Sequence, residues 1–343
     1  IYQYSSGSWS QLGSDIEGET DNDYSGRYVS LSADGTIVAI GATNNDGNGN
    51  ASGHTRIYQY SSDSWEKLGD DINGENSDER SGSSLALSSS GTIVAIGAPF
   101  FNKGYVRIYE YSNNSWGKIG SDIAWENGGD QSGYSVALSN DGTIVAIGSI
   151  RNDRTTGNAN DNGGQVRVYQ RDENNTTVEP FGWTQRGNAI DGENSGDNFG
   201  SSVALSGDGT ILAIGAISTT TAGYVSVYQY SSNSWEKLGE DIHGENIGDE
   251  SGKSVALSND GTIIAISAPK NDGNGEDSGH VRIYQWRQYN SLADDGVYYY
   301  IDGAQPQNTT QTKPLIITGS SSPPVDDQYY WTQLGADIDG GDF

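Results

Sequence analysis

One motif returns five times along this chain and constrains every fold that it can adopt. The first copy, at residues 25–41, reads SGRYVSLSADGTIVAIG. The other copies begin at Ser81, Ser132, Phe199 and Ser251. A second motif follows, as in IYQY at 57–60 and WEKLG at 65–69. Repeats of this length indicate a solenoid, a propeller or another array, and nearly interchangeable units favour a scaffold or a binding surface over an enzyme.

Each unit contains signals for four short strands. In the first unit these are the runs YVSLS, TIVAIGA, RIYQY and WEKLG. Asp34 and Gly35 separate the first two runs, and Asp-Gly between apolar runs is a strong hairpin signal. The second run is apolar on both faces, as in a strand buried between two layers. The sequence therefore predicts an all-β fold, a β-propeller of four-stranded antiparallel blades, over the alternative of a β-solenoid.

We predict a single propeller domain over residues 1–343, with five complete units and a partial sixth. The partial blade covers 1–24, and the complete units are 25–80, 81–131, 132–198, 199–250 and 251–343, the last with an insertion at about 287–328. Residues 1–4 match the third strand of a unit, so the first two strands of that blade have no counterpart. We expect a fragment of a longer polypeptide, or a piece completed by another chain, with six or seven blades in the full protein.

The charge balance limits the classes of partner. The chain has 18 Lys and Arg against 46 Asp and Glu, a formal charge of −28. Such a surface repels nucleic acid and anionic lipid, so we predict no nucleic-acid partner. No run approaches the ~20 apolar residues of a membrane span, so we predict no membrane insertion. Without cysteine, a disulfide, a thiolate metal site and a Cys nucleophile are excluded.

Several motifs resemble a known repeat. They are FGSSVA at 199–204, ILAIGA at 211–216, GYVSVY at 223–228 and GAP at 97–99. Together they resemble the FG-GAP repeat of integrin-α type propellers, and the periodic tryptophan is similar to that of kelch repeats. The resemblance implies a propeller. Integrin blades also imply a calcium loop between the first two strands, but the turn at 140–142 is too short to wrap an ion, so calcium is not expected there.

Two other loops have oxygen ligands with calcium-loop spacing. Asp46, Asn48 and Asn50 stand at positions one, three and five of one loop, and Asp272, Asn274 and Glu276 repeat the pattern. Both loops lack the glycine at position six and the glutamate at position twelve. Calcium is therefore one interpretation, and a Gly/Asn turn chosen for its backbone is the other. The Glu and Asp of the loops between units are interpreted as backbone caps that fix blade spacing.

A few further residues are candidates for contacts. N-glycosylation sequons occur at Asn50, Asn113, Asn174, Asn175 and Asn308. Trp125 stands where other units have Gly74 or Gly244, so its ring either packs locally or stacks on a sugar or a partner. His54 and His280 open the third strand of their units, and we assign them no catalytic or metal role. No nucleophile–base–acid set stands out from the repeat.

From these observations we predict a non-enzymatic, extracellular, structural or adhesive propeller module of a larger surface or filament protein. Its expected partners are other protein chains or the rest of a longer polypeptide, and glycans. We expect the contacts at the insertion or at the open edge near Ile1 and Phe343. A carbohydrate-binding, lectin-like propeller is the first alternative, and a glycosidase-like propeller enzyme is the second.

Overall fold

The computed structural model describes residues 1–125, 127–153, 161–218, 220–288 and 329–340, and all regular structure in them is β-strand. The chain opens with a two-stranded hairpin of β1 (Tyr2–Ser5) and β2 (Ser8–Gln11). Five sheets follow, which we number as blades one to five. Blade one comprises β3 (Ser25–Leu31), β4 (Ile37–Ala42), β5 (His54–Ser61), β6 (Ser64–Lys67) and β7 (Ile72–Asn73).

The next four blades repeat this order. Blade two comprises β8 (Ser84–Leu87), β9 (Ile93–Ala98), β10 (Tyr105–Ser112), β11 (Ser115–Lys118) and β12 (Ile123–Ala124). Blade three comprises β13 (Ser132–Leu138), β14 (Ile144–Ser149), β15 (Gln165–Arg171), β16 (Trp183–Gln185) and β17 (Ile190–Asp191). Blade four comprises β18 (Phe199–Leu205), β19 (Ile211–Ala216), β20 (Tyr224–Ser231), β21 (Ser234–Lys237) and β22 (Ile242–His243). Blade five comprises β23 (Val255–Leu257), β24 (Ile263–Ala268), β25 (His280–Gln288), β26 (Tyr329–Gln333) and β27 (Ile338–Asp339).

Within a blade, the strands form an antiparallel meander, which we call a, b, c and d. In blade one, β4 pairs with β3 on one edge and with β5 on the other. The d strand is broken into two pieces: β6 pairs with the end of β5 and β7 with its beginning. The prediction of an all-β fold with repeated four-stranded antiparallel sheets is confirmed. The blade number of the full protein stays a prediction.

The core lies between the blades. Strand b is buried along its whole length in β4, β9, β14 and β19, because each of its faces packs against a layer of apolar side chains. Ile37 and Ala39 of β4, for example, pack with Val94 and Ile96 of β9. In β24 only alternate residues are buried. Its other face has no further blade against it among the described residues.

Paired glycines bring neighbouring blades into close contact. A Cβ added to Gly41 in strand b would overlap the carbonyl oxygen of Gly82, which precedes strand a of the next blade. The same contact recurs for Gly97 with Gly133, Gly148 with Gly200, and Gly215 with Gly252. Blade five has Ser267 at this place, on the side where no described blade follows. A Cβ on Gly26, at the other end of the array, would meet no atom within 4 Å.

The turns between strands a and b are joined by a chain of backbone hydrogen bonds. Each of the first four turns donates one amide N–H to the carbonyl oxygen of the next turn along the sequence. The donor–acceptor distances are 3.0 Å from Ala33 to Ser89, 2.8 Å from Ser89 to Asn140, 2.8 Å from Asn140 to Gly207 and 2.8 Å from Gly207 to Asn259. The five blades are therefore linked in sequence order by their turns as well as by their cores.

Candidate functional site

Blade one exposes an apolar surface. The matching surface of blades three, four and five is covered by the preceding blade. Val29 and Leu31 of β3 are 59% and 49% exposed. The residues that correspond to Val29 in blades three, four and five are each 9% exposed: Val136, Val203 and Val255. In those blades, strands a and b of the preceding blade cover this surface. The described residues offer no such cover to blade one.

The hairpin of β1 and β2 lies beside this surface with one edge unpaired. Leu12, just after β2, accepts a hydrogen bond from Trp65 Nε1 of blade one at 2.7 Å. By repeat position β1 is a c strand and β2 is a d strand, and β1 pairs with β2 alone among the described strands. In blade one the corresponding strand β5 pairs with β4 along its other edge. The free backbone edge of β1 therefore offers hydrogen bonds to an added strand b.

We call Gly26, Val29, Leu31 and the unpaired edge of β1 the open side of the array. Tyr2, Tyr4 and Trp9 of the hairpin are exposed as well. Gly26 keeps the positive φ of 86° found at the equivalent glycines that contact a neighbouring blade. The open side therefore has the backbone edge, the apolar surface and the glycine that a hairpin of strands a and b contacts elsewhere in this chain.

A second kind of site lies in the polar seams between blades. Two seams bring together a histidine and two carboxylates: Glu19, His54 and Asp71 in the first, and Glu245, His280 and Asp337 in the second. In each group the ligand atoms lie within 4.8 Å of one another. The histidine opens strand c, the aspartate follows the first piece of strand d, and the glutamate comes from the loop that precedes strand a of the same blade.

The other seams use direct hydrogen bonds at the histidine's position. In blade three, Gln165 Nε2 donates to Asp191 Oδ1 at 2.6 Å. In blade four, the Tyr224 hydroxyl donates to Asp197 Oδ2 at 2.8 Å. Burial, together with this hydrogen bond, raises the pKa of Tyr224 far above its usual range. The amide of Gln165 therefore links β15 to β17 within blade three, and the phenol of Tyr224 fixes the loop that leads into blade four.

The seam between blades one and two is an ion-pair network. Arg107 contacts Glu79 at 2.7 Å, Glu75 at 2.9 Å and Asp122 at 3.0 Å. Glu79 also accepts hydrogen bonds from the backbone amides of Glu75 and Asn76, both at 2.9 Å. The acidic loops thus cap backbone amides, as we predicted for them, and also bind the arginine of the neighbouring strand c.

The calcium candidates form hydrogen bonds with their own and neighbouring loops. Asp46 Oδ1 accepts a bond from the Ala51 amide at 2.7 Å, and Asp272 Oδ1 accepts one from the Asp277 amide at 2.9 Å. The side-chain amides of the asparagines donate to neighbouring loops: Asn48 to Gly74 O, Asn50 to Asp78 Oδ1 and Asn274 to Gly340 O. Calcium at these residues and at Glu276 stays a prediction.

Trp125 lies in the interior. Its side chain is 1% exposed, its Nε1 donates to Gln165 Oε1 at 3.0 Å, and the Arg167 guanidinium lies 4.6 Å from the ring centre. The interpretation as an exposed ring for a sugar or a partner is therefore corrected, because polar groups of blade three draw the indole into the seam. Local packing, the other interpretation, fits this position.

The sequons differ in their accessibility. Asn113 is exposed in the turn between β10 and β11, and Asn50 and Asn174 are exposed in loops. Asn175 is half-buried, and its side-chain amide donates to Pro180 O at 3.1 Å and Trp183 O at 2.7 Å. Asn308 and most of the predicted insertion lie outside the described residues. Glycosylation stays a prediction.

Sequence reasoning missed the His–Glu–Asp groups. Each combines residues from three separate parts of a repeat unit, with Glu19 and His54 far apart in the chain, so no local motif marks them. One signal was available: the two histidines occupy the same repeat position, and each follows an asparagine-rich loop of the form NDGNG. The first residue of that loop is Asn45 or Asn271, and these side chains contact the glutamates.

Comparison with known proteins begins with the repeat. A model of the FG-GAP repeat matches residues 183–228 and 245–284. Two segments of this chain are therefore similar to the FG-GAP repeat. The first match runs from strand d of blade three to strand c of blade four, which confirms the resemblance seen at 199–228. No curated protein matches the sequence as a relative.

Solved structures share the fold at low identity. A periplasmic gluconolactonase of Pseudomonas aeruginosa has a TM-score of 0.54 and 14% identity, over 83% of this chain and 74% of that one. A putative 6-phosphogluconolactonase of Bacteroides fragilis has a TM-score of 0.53 and 14% identity, over 82% and 70%. Hydrazine synthase of Kuenenia stuttgartiensis has a TM-score of 0.47 and 13% identity, over 79% of this chain; the present chain spans 65% of that one.

These similarities correct one prediction. From the near-equivalence of the repeat units we predicted that the chain is not an enzyme. The structures named above include propellers with the names of lactonases, so this fold also serves enzymes and repetition does not argue against catalysis.

The described part of the chain holds no apolar helix of the length that a bilayer requires.

Proposed function

We propose that this chain is a structural or adhesive propeller module that binds a neighbouring polypeptide at its open side. The bound element is a two-stranded hairpin with the pattern of strands a and b. The observation that carries the proposal is the exposure of Val29 and Leu31 beside the unpaired edge of β1. Exposed apolar surface and a free strand edge at one place are typical of a protein interface that uses strand addition.

The backbone edge supplies the first part of the binding energy. Within the complete blades, every strand c pairs with a strand b, as β5 does with β4 over six residue pairs from Ile37↔Gln59 to Ala42↔His54. An added strand b would form part of this antiparallel ladder, with Ile1, Tyr2 and Gln3, which match Ile57, Tyr58 and Gln59 of β5. Such a ladder fixes the direction and register of the partner, because a slip by one residue would turn its apolar side chains away from blade one.

The apolar surface supplies the second part. Between blades one and two, Ile37 and Ala39 of strand b pack with Leu85 and Leu87 of the next strand a. Val29 and Leu31 are the matching residues of β3, and they are free to receive an isoleucine and an alanine in the same way. Burial of such side chains is worth roughly 1.5–3 kcal/mol for each large residue.

The glycine contact makes the site selective. A partner strand must approach Gly26 as closely as Gly41 approaches Gly82. A second copy of this chain is a poor occupant, since its incompletely covered strand b, β24, carries Ser267 where the contact requires glycine. The expected occupant of the open side is therefore a hairpin from another polypeptide segment that has glycine at this position.

A synthetic peptide with the sequence of residues 199–216 tests the proposal. In the chain this segment forms the a–b hairpin of blade four, with Gly215 at the contact position. We expect saturable binding with one peptide per protein molecule by isothermal titration calorimetry. Binding to the folded state should also raise the melting temperature of the protein with peptide concentration.

Two matched controls define the outcome. A peptide with Gly215→Val keeps the apolar pattern but blocks the close approach, and the protein variant Val29→Asp places a charge under the hairpin. Each change should weaken binding at least about tenfold, whereas Val178→Asp, in an exposed loop, should not change it. Equal binding of both peptides, or unchanged binding by Val29→Asp, would overturn the proposal.

The cellular location follows the same proposal. We place the module outside the cytoplasm, at the cell surface or in a secreted assembly. FG-GAP repeats and the periplasmic gluconolactonase among the similar folds support a secreted or periplasmic location. An antibody against this chain should label intact, unpermeabilised cells of the source organism. Labelling only after permeabilisation would contradict the location.

A further inference from the structure

We propose that the two groups, each with a buried histidine, an exposed glutamate and a half-buried aspartate, bind a transition-metal ion of the zinc type, and that the group in blade five binds it more tightly. Its ligands would be Glu245, His280 and Asp337, and Glu19, His54 and Asp71 form the weaker site in blade one. One imidazole and two carboxylates are a ligand set that suits Zn²⁺. Three protein ligands leave the fourth tetrahedral position to water.

The spacing between the ligand atoms suits a shared ion. His280 Nδ1 lies 3.5 Å from Asp337 Oδ2, and His54 Nδ1 lies 3.9 Å from Glu19 Oε2. The second distance is too long for a hydrogen bond, and the first is at the upper limit of one. Two ligands that are each ~2.0–2.2 Å from one zinc ion in a tetrahedral site stand about 3.3 Å apart. A small inward movement of the side chains would therefore complete the site.

Burial of the imidazoles is the second, independent observation. The side chains of His54 and His280 are 2% and 1% exposed. No protein hydrogen bond to either ring occurs within the described residues, whereas Gln165 and Tyr224, at the same repeat position, bond directly to an aspartate. The imidazole nitrogens are therefore not engaged by a protein donor or acceptor among these residues and are available to an ion.

The two glutamates have similar surroundings. In each, an asparagine binds the Oε2 oxygen and an arginine lies near the Oε1 oxygen. Asn45 donates to Glu19 Oε2 at 3.3 Å, and Asn271 donates to Glu245 Oε2 at 3.2 Å. The arginines lie near the other oxygen: Arg56 is 3.5 Å from Glu19 Oε1, and Arg282 is 3.7 Å from Glu245 Oε1. Partners of this kind hold metal ligands in place and tune their affinity.

One residue distinguishes the two sites. In blade one, Lys67 Nζ lies 2.7 Å from Asp71 Oδ1, so an ammonium group already neutralises this carboxylate and repels a cation. In blade five the same repeat position is Gln333, whose neutral amide donates to Asp337 Oδ1 at 2.6 Å. The carboxylate of Asp337 keeps its full charge for an ion, which is why the blade-five site is the tighter one.

Zinc binding to the full chain, purified without a histidine tag and stripped with a chelator, tests the proposal. We expect isothermal titration with ZnCl₂ to show two classes of site, and the melting temperature to rise as the tighter one fills. Co²⁺ in place of zinc should give the visible absorption of a tetrahedral site. CaCl₂ at equal concentration should not compete, since imidazole is a poor calcium ligand.

Substitutions from the chain's own repeat serve as controls. His280→Gln copies the residue of blade three, and we expect it to keep the fold and to weaken the tighter site about 100-fold or more. Lys67→Gln should strengthen the blade-one site about tenfold, and Gln333→Lys should weaken the blade-five site by a similar factor. Absence of zinc binding at 100-fold excess, unchanged binding in His280→Gln, or a larger loss in His54→Gln than in His280→Gln would overturn the proposal.

Discussion

At the scale of single residues, glycine in strand b decides how closely two blades approach. Gly97 lies against Gly133 of the next blade and against Ser84 Oγ of its own blade. Both contacts are with atoms held by the sheets: Ser84 Oγ donates to Gly133 O at 2.8 Å. A side chain at position 97 therefore has no flexible neighbour that could move away.

We expect Gly97→Ala to destabilise the protein by about 1–3 kcal/mol, the usual cost of overpacking a core. The added methyl group would force blades two and three apart or break the Ser84 hydrogen bond. Urea unfolding followed by tryptophan fluorescence measures the loss. Ser267→Ala is the matched control at the same repeat position in blade five: it removes only exposed hydrogen bonds of Ser267 Oγ with the Ser254 backbone, at 2.9 Å to the amide and 3.4 Å to the carbonyl oxygen, so the loss should stay below about 1 kcal/mol. Equal losses for the two variants would refute the glycine contact.

At the scale of elements, the a–b turns are built around an aspartate. In blade three, Asp141 accepts bonds from the Ser139 hydroxyl at 2.6 Å, the Thr143 amide at 3.0 Å and the Thr143 hydroxyl at 2.9 Å. Burial alone would raise the pKa of Asp141, but these bonds outweigh it and hold the pKa below 3.8. Blade two replaces this aspartate with Ser90, so the turn tolerates a neutral residue.

Asp141→Ser should lower stability at pH 7 and should make the protein's stability less dependent on acid pH. A carboxyl whose folded pKa is depressed contributes stability above its unfolded pKa, near 3.8, and loses it as the pH falls through the folded value. The difference between wild type and variant should therefore shrink from pH 5 toward pH 2. Urea unfolding over this pH range measures it, and a difference that does not change with pH would contradict the role of the carboxylate.

The strands and turns were predictable because their signals are local. Alternating and β-branched runs mark strands a, b and c, and Asp-Gly marks the hairpin. The contacts in the seams between blades were not predictable from the sequence, because they depend on which side chains the fold brings together. Trp125 looked like a loop residue because glycine holds its place elsewhere, and its burial depends on Gln165 and Arg167 forty residues onward. The His–Glu–Asp groups were not predicted for the same reason.

At the scale of the whole molecule, the array has two sides with different cover. Blades two, three and four pack against a neighbour on each side. Blade one lacks cover at Val29 and Leu31, and strand b of blade five is buried on alternate residues alone. Local stability in such an array follows the number of packed neighbours, as in other repeat proteins.

Hydrogen–deuterium exchange should therefore be slowest in β9, β14 and β19 and faster in β24. Strand β24 pairs with β25 in the same way as the other b strands pair with their c strands. A faster exchange rate in β24 would therefore report the absence of a covering blade and not a missing hydrogen bond. We expect at least about tenfold faster exchange there, which corresponds to about 1.4 kcal/mol of opening free energy. Mass spectrometry of peptides from each strand measures this, and uniform protection across all blades would show that the array unfolds as one unit.

The hydrogen bonds between the turns all run in one direction along the array. Each turn donates its N–H forward along the sequence, so a hairpin that joins ahead of blade one must bring the donor, and Ala33 must supply the acceptor. In the peptide of residues 199–216 that donor is Gly207, whose amide bonds to Asn259 in the chain. Proline has no amide hydrogen, so a natural partner of the open side is expected to exclude proline at this one turn residue.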